Sequence, residues 1–133
     1  MVRGPDDRVL AFERVDVPGQ WQFAQGGLND GEEPIVAAWR ELREETGLGP
    51  DDVIVVDEYP DWVVYEYPPD LREKKGRLGQ AHRWYLFDAL RADIAPTPDG
   101  SEFVAWQWVT RGWMVENAVD FRQPGYRRVL ESL

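Results

Sequence analysis

Between Pro34 and Gly47 the chain runs Ile-Val-Ala-Ala-Trp-Arg-Glu-Leu-Arg-Glu-Glu-Thr without a break, and both ends carry helix punctuation. Proline suits a first helical turn, because its missing N–H would have no intrahelical partner there. Glycine suits the left-handed position just past a helix end. The spacing predicts a helix from Pro34 to Thr46, closed by Gly47. At about 100° per residue, Ile35, Ala38, Trp39 and Leu42 share one arc of about 100°, a stripe that must face a core. Glu41, Glu44 and Glu45 share a second arc of similar width, with the small Ala37 one turn earlier.

Carboxylates crowded on one arc repel one another. These also sit in the last turns, where the helix dipole is negative and cations are preferred. A hard divalent cation relieves both terms, and carboxylate oxygens are the ligands that Mg²⁺ or Mn²⁺ takes. The plain alternative is a solvated acidic face. The Gly26-Gly27 loop upstream and the fixed spacing favour the metal site.

That spacing is Gly26, five residues, Glu32, seven residues, Arg40-Glu41-Leu42, one residue, Glu44-Glu45, one residue, Gly47-Leu48. It resembles the Nudix box, the signature of hydrolases that cut nucleoside diphosphates linked to another group. The flanks narrow the likeness. Trp21-Gln22-Phe23-Ala24-Gln25-Gly26-Gly27 is similar to a segment of bacterial RNA 5′-pyrophosphohydrolases and the related dinucleoside polyphosphate hydrolases. Tyr67-Pro68, Gly79-Gln80, Arg83-Trp84-Tyr85-Leu86, Glu102-Phe103, Trp106, Trp108-Val109, Phe121 and Tyr126-Arg127-Arg128-Val129 follow in the same order as in that subgroup. The likeness departs at Ala24, where the subgroup has proline, and at Ala81, where a basic residue is common. An alanine in place of proline loosens the loop.

The resemblance implies an α/β fold over 1–133, with a mixed β-sheet sandwiched between α-helices. Strand patterns agree: Val9-Leu10-Ala11-Phe12, Asp52 to Asp57, Trp62 to Tyr67, Arg83 to Ala89 and Glu102 to Val109 are rich in β-branched and aromatic residues. A last helix is expected over about 125–131. Only Met1-Val2-Arg3 precedes the Gly-Pro-Asp-Asp turn, so the first strand is expected to be very short or missing. A missing strand would leave an unpaired sheet edge.

By position, the resemblance makes Glu41, Glu44 and Glu45 the ligands of Mg²⁺, with Mn²⁺ a substitute, and adds the Gly26 carbonyl. Glu102 matches a further ligand or the general base, a role for which Glu45 and Glu44 are the other candidates. Glu32 and Arg40 would pair to brace the loop against the helix. Arg14 and Arg83 are candidate phosphate contacts, Phe121 a candidate base-stacking ring, and Gln22 a further substrate contact. For Arg14, Arg83 and Phe121 the plain reading is an ordinary surface or core residue. The Arg72 to Arg77 stretch (Arg-Glu-Lys-Lys-Gly-Arg) reads as a solvated loop, with an RNA-tail contact as the minor alternative. His82, the only histidine, has no catalytic partner in the sequence.

Composition bounds the reading. The net charge is −10, with 25 acidic against 15 basic residues. That disfavours backbone-driven binding to DNA or generic nucleic acid, which needs a basic field. A polyphosphate substrate is compatible, since a bound cation inverts the local potential. No apolar run approaches the roughly eighteen residues of a membrane span. The charged start and the lack of cysteine give a cytoplasmic, disulfide-free expectation, and a monomer is favoured. The expected activity is removal of phosphate or pyrophosphate from 5′-triphosphate or diphosphate RNA, overlapping with dinucleoside polyphosphate cleavage. Hydrolysis of a free nucleotide is the alternative. A non-catalytic nucleotide sensor would be expected to have lost box glutamates, and every one is present.

Overall fold

The computed structural model describes all of residues 1–133 except Gly26. A mixed sheet organises the chain. Strand β1 (Val2–Arg3) lies antiparallel to β2 (Val9–Arg14), with Arg3 opposite Val9, and parallel to β7 (Tyr85–Ala89), with Val2 opposite Phe87. The first strand is thus two residues long, yet it joins β2 to β7. Strand β3 (Trp21–Gln22) pairs with β2 further along, β8 (Phe103–Val109) runs along β2 from Val9 to Arg14, and β4 (Val53–Glu58) pairs with β7. Strands β5 (Val63–Glu66) and β6 (Gly79–His82) form a separate antiparallel hairpin.

Strand periodicity divides the interior into two cores. On β2, Val9 and Ala11 face one side, and Leu10 and Phe12 face the other. The first core receives Met114 and Val115 of α3 (Arg111–Asn117) and Tyr126, Val129 and Leu130 of α4 (Gln123–Ser132). The second receives Leu42 of α1 (Pro34–Thr46), with Ile35, Ala38 and Trp39 packed against it. Trp39 meets Phe87 edge to face at 4.8 Å, an arrangement worth about 0.5–1.5 kcal/mol beyond area burial. Helices therefore cover both faces, the sandwich that the resemblance implies.

The stretch expected as a solvated loop is in part helical: α2 (Pro69–Lys75) takes in Arg72 to Lys75. Five of its seven residues are charged and none is buried, so no apolar stripe marks it. Pro69 in the first turn and Gly76 at φ 68° delimit it instead, as Pro34 and Gly47 delimit α1. Helix α3 also has no counterpart in the sequence reading. It is two turns long, contains Gly112, and begins where the Thr110 hydroxyl accepts the Trp113 N–H at 3.2 Å. No helix among the described residues is long and apolar enough to cross a membrane.

Candidate active site

Helix α1 presents its three glutamates unequally. Glu45 is buried, 4% exposed, whereas the side chains of Glu41 and Glu44 are 17% and 59% exposed. The Glu45 carboxyl lies close to those of Glu41 and Glu102, and among the described residues its Oε2 has no hydrogen-bond partner. Burial, followed by the neighbouring Glu102 charge, pushes its pKa far above the usual carboxylate range. A buried anion beside two others is a group in search of a cation.

Arg40 supplies part of that charge. Its Nε and Nη2 grip Glu32 at 2.8 and 2.9 Å, and Nη2 also donates to the Gly27 carbonyl at 2.9 Å. Nη1 reaches Glu41 at 2.6 Å and Glu44 at 3.3 Å. Arg40, together with the Asn29 N–H, holds the Glu32 carboxyl down to about 2. One guanidinium therefore joins the loop to the helix and shares its single charge among Glu32, Glu41 and Glu44. Among the described residues no group of three or more His, Asp or Glu is arranged to hold a metal ion. The donor chemistry nevertheless fits one: hard oxygens only, a buried carboxylate oxygen without a partner among the described residues, and two neighbouring carboxylates, Glu41 and Glu102. Gly26, whose carbonyl the resemblance adds to the ligands, lies outside the described residues.

Glu102 is brought to the helix by a turn that the sequence reading did not single out. The Asp99 Oδ1 accepts the backbone N–H groups of Ser101, Glu102 and Phe103 at 3.1, 2.9 and 3.1 Å. The same loop donates from Thr97 to the Thr46 carbonyl at 2.7 Å and from Asp99 to the Glu45 carbonyl at 3.2 Å. These carbonyls end a helix and lack intrahelical partners. The Asp99-Gly100 pair was the available signal, since Asp side chains cap turns of this kind. On the far side, the Val15 N–H donates to the Glu102 carbonyl at 2.9 Å, just past a ladder irregularity at Glu13/Arg14.

The other expected site residues divide. Arg14 donates to Asp16 at 2.8 and 2.9 Å and to the Gln22 side-chain oxygen at 3.0 Å. Glu102 lies near enough to raise the Arg14 pKa further. Gln22 is buried. Phe121, on a 3-10 turn (Asp120–Arg122), packs on Tyr65 and Tyr67 with centroids 5.4 and 5.6 Å apart. Arg83 is engaged elsewhere, with Glu58, the Pro60 carbonyl at 3.3 Å and the Trp62 ring at 5.6 Å. His82 is buried beside Tyr65 and takes the Gln25 amide at 3.3 Å; burial lowers its pKa to about 4, helped by Arg122 and Arg77. Sequence reasoning missed Arg122, whose Nη1 also donates to Gln22 and whose guanidinium lies 5.5 Å from the Tyr65 centroid. Its position in the fold, rather than any motif, brings it there.

A family model described as NUDIX domain matches residues 1–133. An RNA pyrophosphohydrolase of Roseobacter denitrificans is 43% identical over 137 residues, covering 99% of this chain and 86% of that protein. Nudix hydrolase 25 of Arabidopsis thaliana is 40% identical over 139 residues, covering 96% and 78%. Among solved structures, the E. coli dihydroneopterin triphosphate pyrophosphohydrolase superposes with a TM-score of 0.79 over 99% of this chain and 92% of its own, at 20% identity. That last likeness is one of fold alone.

Proposed function

The chain belongs to the Nudix hydrolase family, and from that premise we propose that it removes phosphate or pyrophosphate from 5′-triphosphate or diphosphate RNA ends, and cleaves dinucleoside polyphosphates by the same chemistry. Nudix hydrolases use divalent ions such as Mg²⁺. Here Glu41, Glu44 and Glu45 would hold Mg²⁺ or Mn²⁺, with Glu102 beside them and the Gly26 carbonyl as a further donor. The observation that carries the reading is the buried, unpartnered Oε2 of Glu45 set between Glu41 and Glu102.

The bound cation supplies charge neutralisation at the phosphate oxygens and a more acidic water. Glu102, on a half-exposed loop, takes the proton at its carboxylate as water attacks phosphorus in line, and the phosphoanhydride bond opposite breaks, its oxygen leaving with the departing phosphate-bearing group. Glu45 is the less suited base, because its buried oxygens need a cation to remain charged. Arg40 holds Glu32 and the loop in place. Arg14 lies opposite Phe103 in the β2–β8 ladder, close enough to feel the Glu102 charge, and would meet the phosphate chain there. The Phe121, Tyr65 and Tyr67 rings offer a stacking surface for a base.

A second reading, hydrolysis of a free nucleoside triphosphate or nucleotide sugar, is favoured by the net charge of −10, since RNA binding prefers basic surfaces. Triphosphorylated oligoribonucleotide, diadenosine tetraphosphate and mononucleotides, each given to the purified protein with Mg²⁺, separate the readings. Release of phosphate or pyrophosphate from RNA is expected. Fast cleavage of the free nucleotides with RNA untouched would sink the RNA reading.

A further inference from the structure

Gln22 closes β3 and is 2% exposed. Its one side-chain oxygen accepts from Arg14 Nη1 at 3.0 Å and from Arg122 Nη1. The two arginines arrive from distant parts of the chain, β2 and the turn before α4. Arg14 is partly offset by its fork onto Asp16. Arg122 has no carboxylate partner among the described residues, and its Nε is buried without an acceptor. Its guanidinium is spread over Tyr65 at 5.5 Å and Phe121 at 5.6 Å. Two like charges thus converge on a neutral oxygen, which orients them without cancelling either.

We propose that Gln22 is a positioning residue, which touches no substrate and fixes Arg14 and Arg122 as a preformed dicationic seat for a phosphate chain. The seat lies between Glu102, whose charge acts on Arg14, and the Phe121 ring. It occupies the stretch that a nucleotide's phosphates would span from the carboxylates to a stacked base, so the inference rests on the polyphosphate reading above. Neutrality of the acceptor is what preserves the seat. A glutamate there would form ion pairs with both guanidiniums and weaken their hold on an anion. A leucine would leave them to splay apart.

Gln22→Leu is expected to raise KM for the preferred nucleotide substrate about tenfold, with kcat within about twofold, as for loss of uniform binding. Gln22→Glu is expected to raise KM similarly while melting at the same or a higher temperature, which a merely structural role would not produce. In an Arg122→Met background, Gln22→Leu should add less than about twofold. Binding of inorganic tripolyphosphate, measured calorimetrically in EDTA, should weaken in Gln22→Leu. Unchanged KM in Gln22→Glu, full additivity with Arg122→Met, or equal tripolyphosphate binding by wild type and Gln22→Leu (no binding by either included) overturns the proposal. If the wild type cleaves none of the nucleotides but its tripolyphosphate binding responds to Gln22→Leu, the hydrolase reading fails and the positioning role stands.

Discussion

The unequal burial of Glu44 and Glu45 gives the two residues different energetic signatures. Glu45 sits buried against like charges, so Glu45→Gln should leave the metal-free protein equally stable or more stable. Glu44 is exposed, and its ion pair is with Arg40 at 3.3 Å, so Glu44→Gln should change metal-free stability within about 0.5 kcal/mol. Both should lower kcat by about 10²–10⁴-fold. Mg²⁺ should raise the melting temperature of wild type more than that of Glu45→Gln, through preferential binding to the folded state. Thermal melts with and without Mg²⁺ check this; equal increments in both proteins, with an undiminished rate in the mutant, would move the metal elsewhere. The sequence alone grouped these glutamates on one arc. It could not separate the buried one from the exposed one, because that depends on where the loop carrying Asp99 and Glu102 lands.

At the scale of elements, α1 was legible to the residue because its ends are set by backbone chemistry rather than by packing. Gly47 stands at φ 73°, with its N–H on the Arg43 carbonyl at 2.9 Å. A Cβ there would meet Thr97 at an ordinary 3.6 Å, so the strain of a substitution is conformational only. Gly47→Ala should therefore destabilise by about 1 kcal/mol, read as a shift in denaturation midpoint with unchanged slope. A loss several times larger would mean that the Thr97 contact is closer than it stands. The buried part of β2 was legible as the apolar run Val9 to Phe12, since a strand with both faces buried needs apolar residues at successive positions, whereas its half-buried extension through Glu13 to Arg14 was not. Helices α2 and α3 were not. The first has no apolar stripe and the second is too short for a period, and both are placed by what surrounds them.

For the molecule as a whole, acid is the informative perturbation. His82, the one histidine, is held to about 4 by burial, with Arg122 and Arg77 adding to it, against 6.5 when free. Between those values the unfolded chain binds a proton that the folded chain refuses, so stability falls as pH drops from 6.5 to 4. The loss is on the order of 3 kcal/mol. Glu32 adds a second loss at lower pH: its stabilisation, full above 4.5, disappears as pH falls towards 2. Melts of wild type and His82→Gln across pH 7 to 4 should diverge, the wild type losing more; parallel curves would place a charged histidine in the fold. The tether from the 97–103 loop to the end of α1 has a consequence of another kind. Because backbone bonds to the Thr46 and Glu45 carbonyls fix the loop, and Asp99 fixes its turn, the fold itself holds Glu102 beside Glu45. A cation arriving there has no loop to order, so little conformational entropy is lost on binding, and the cost it meets is instead displacement of the proton that burial favours on Glu45.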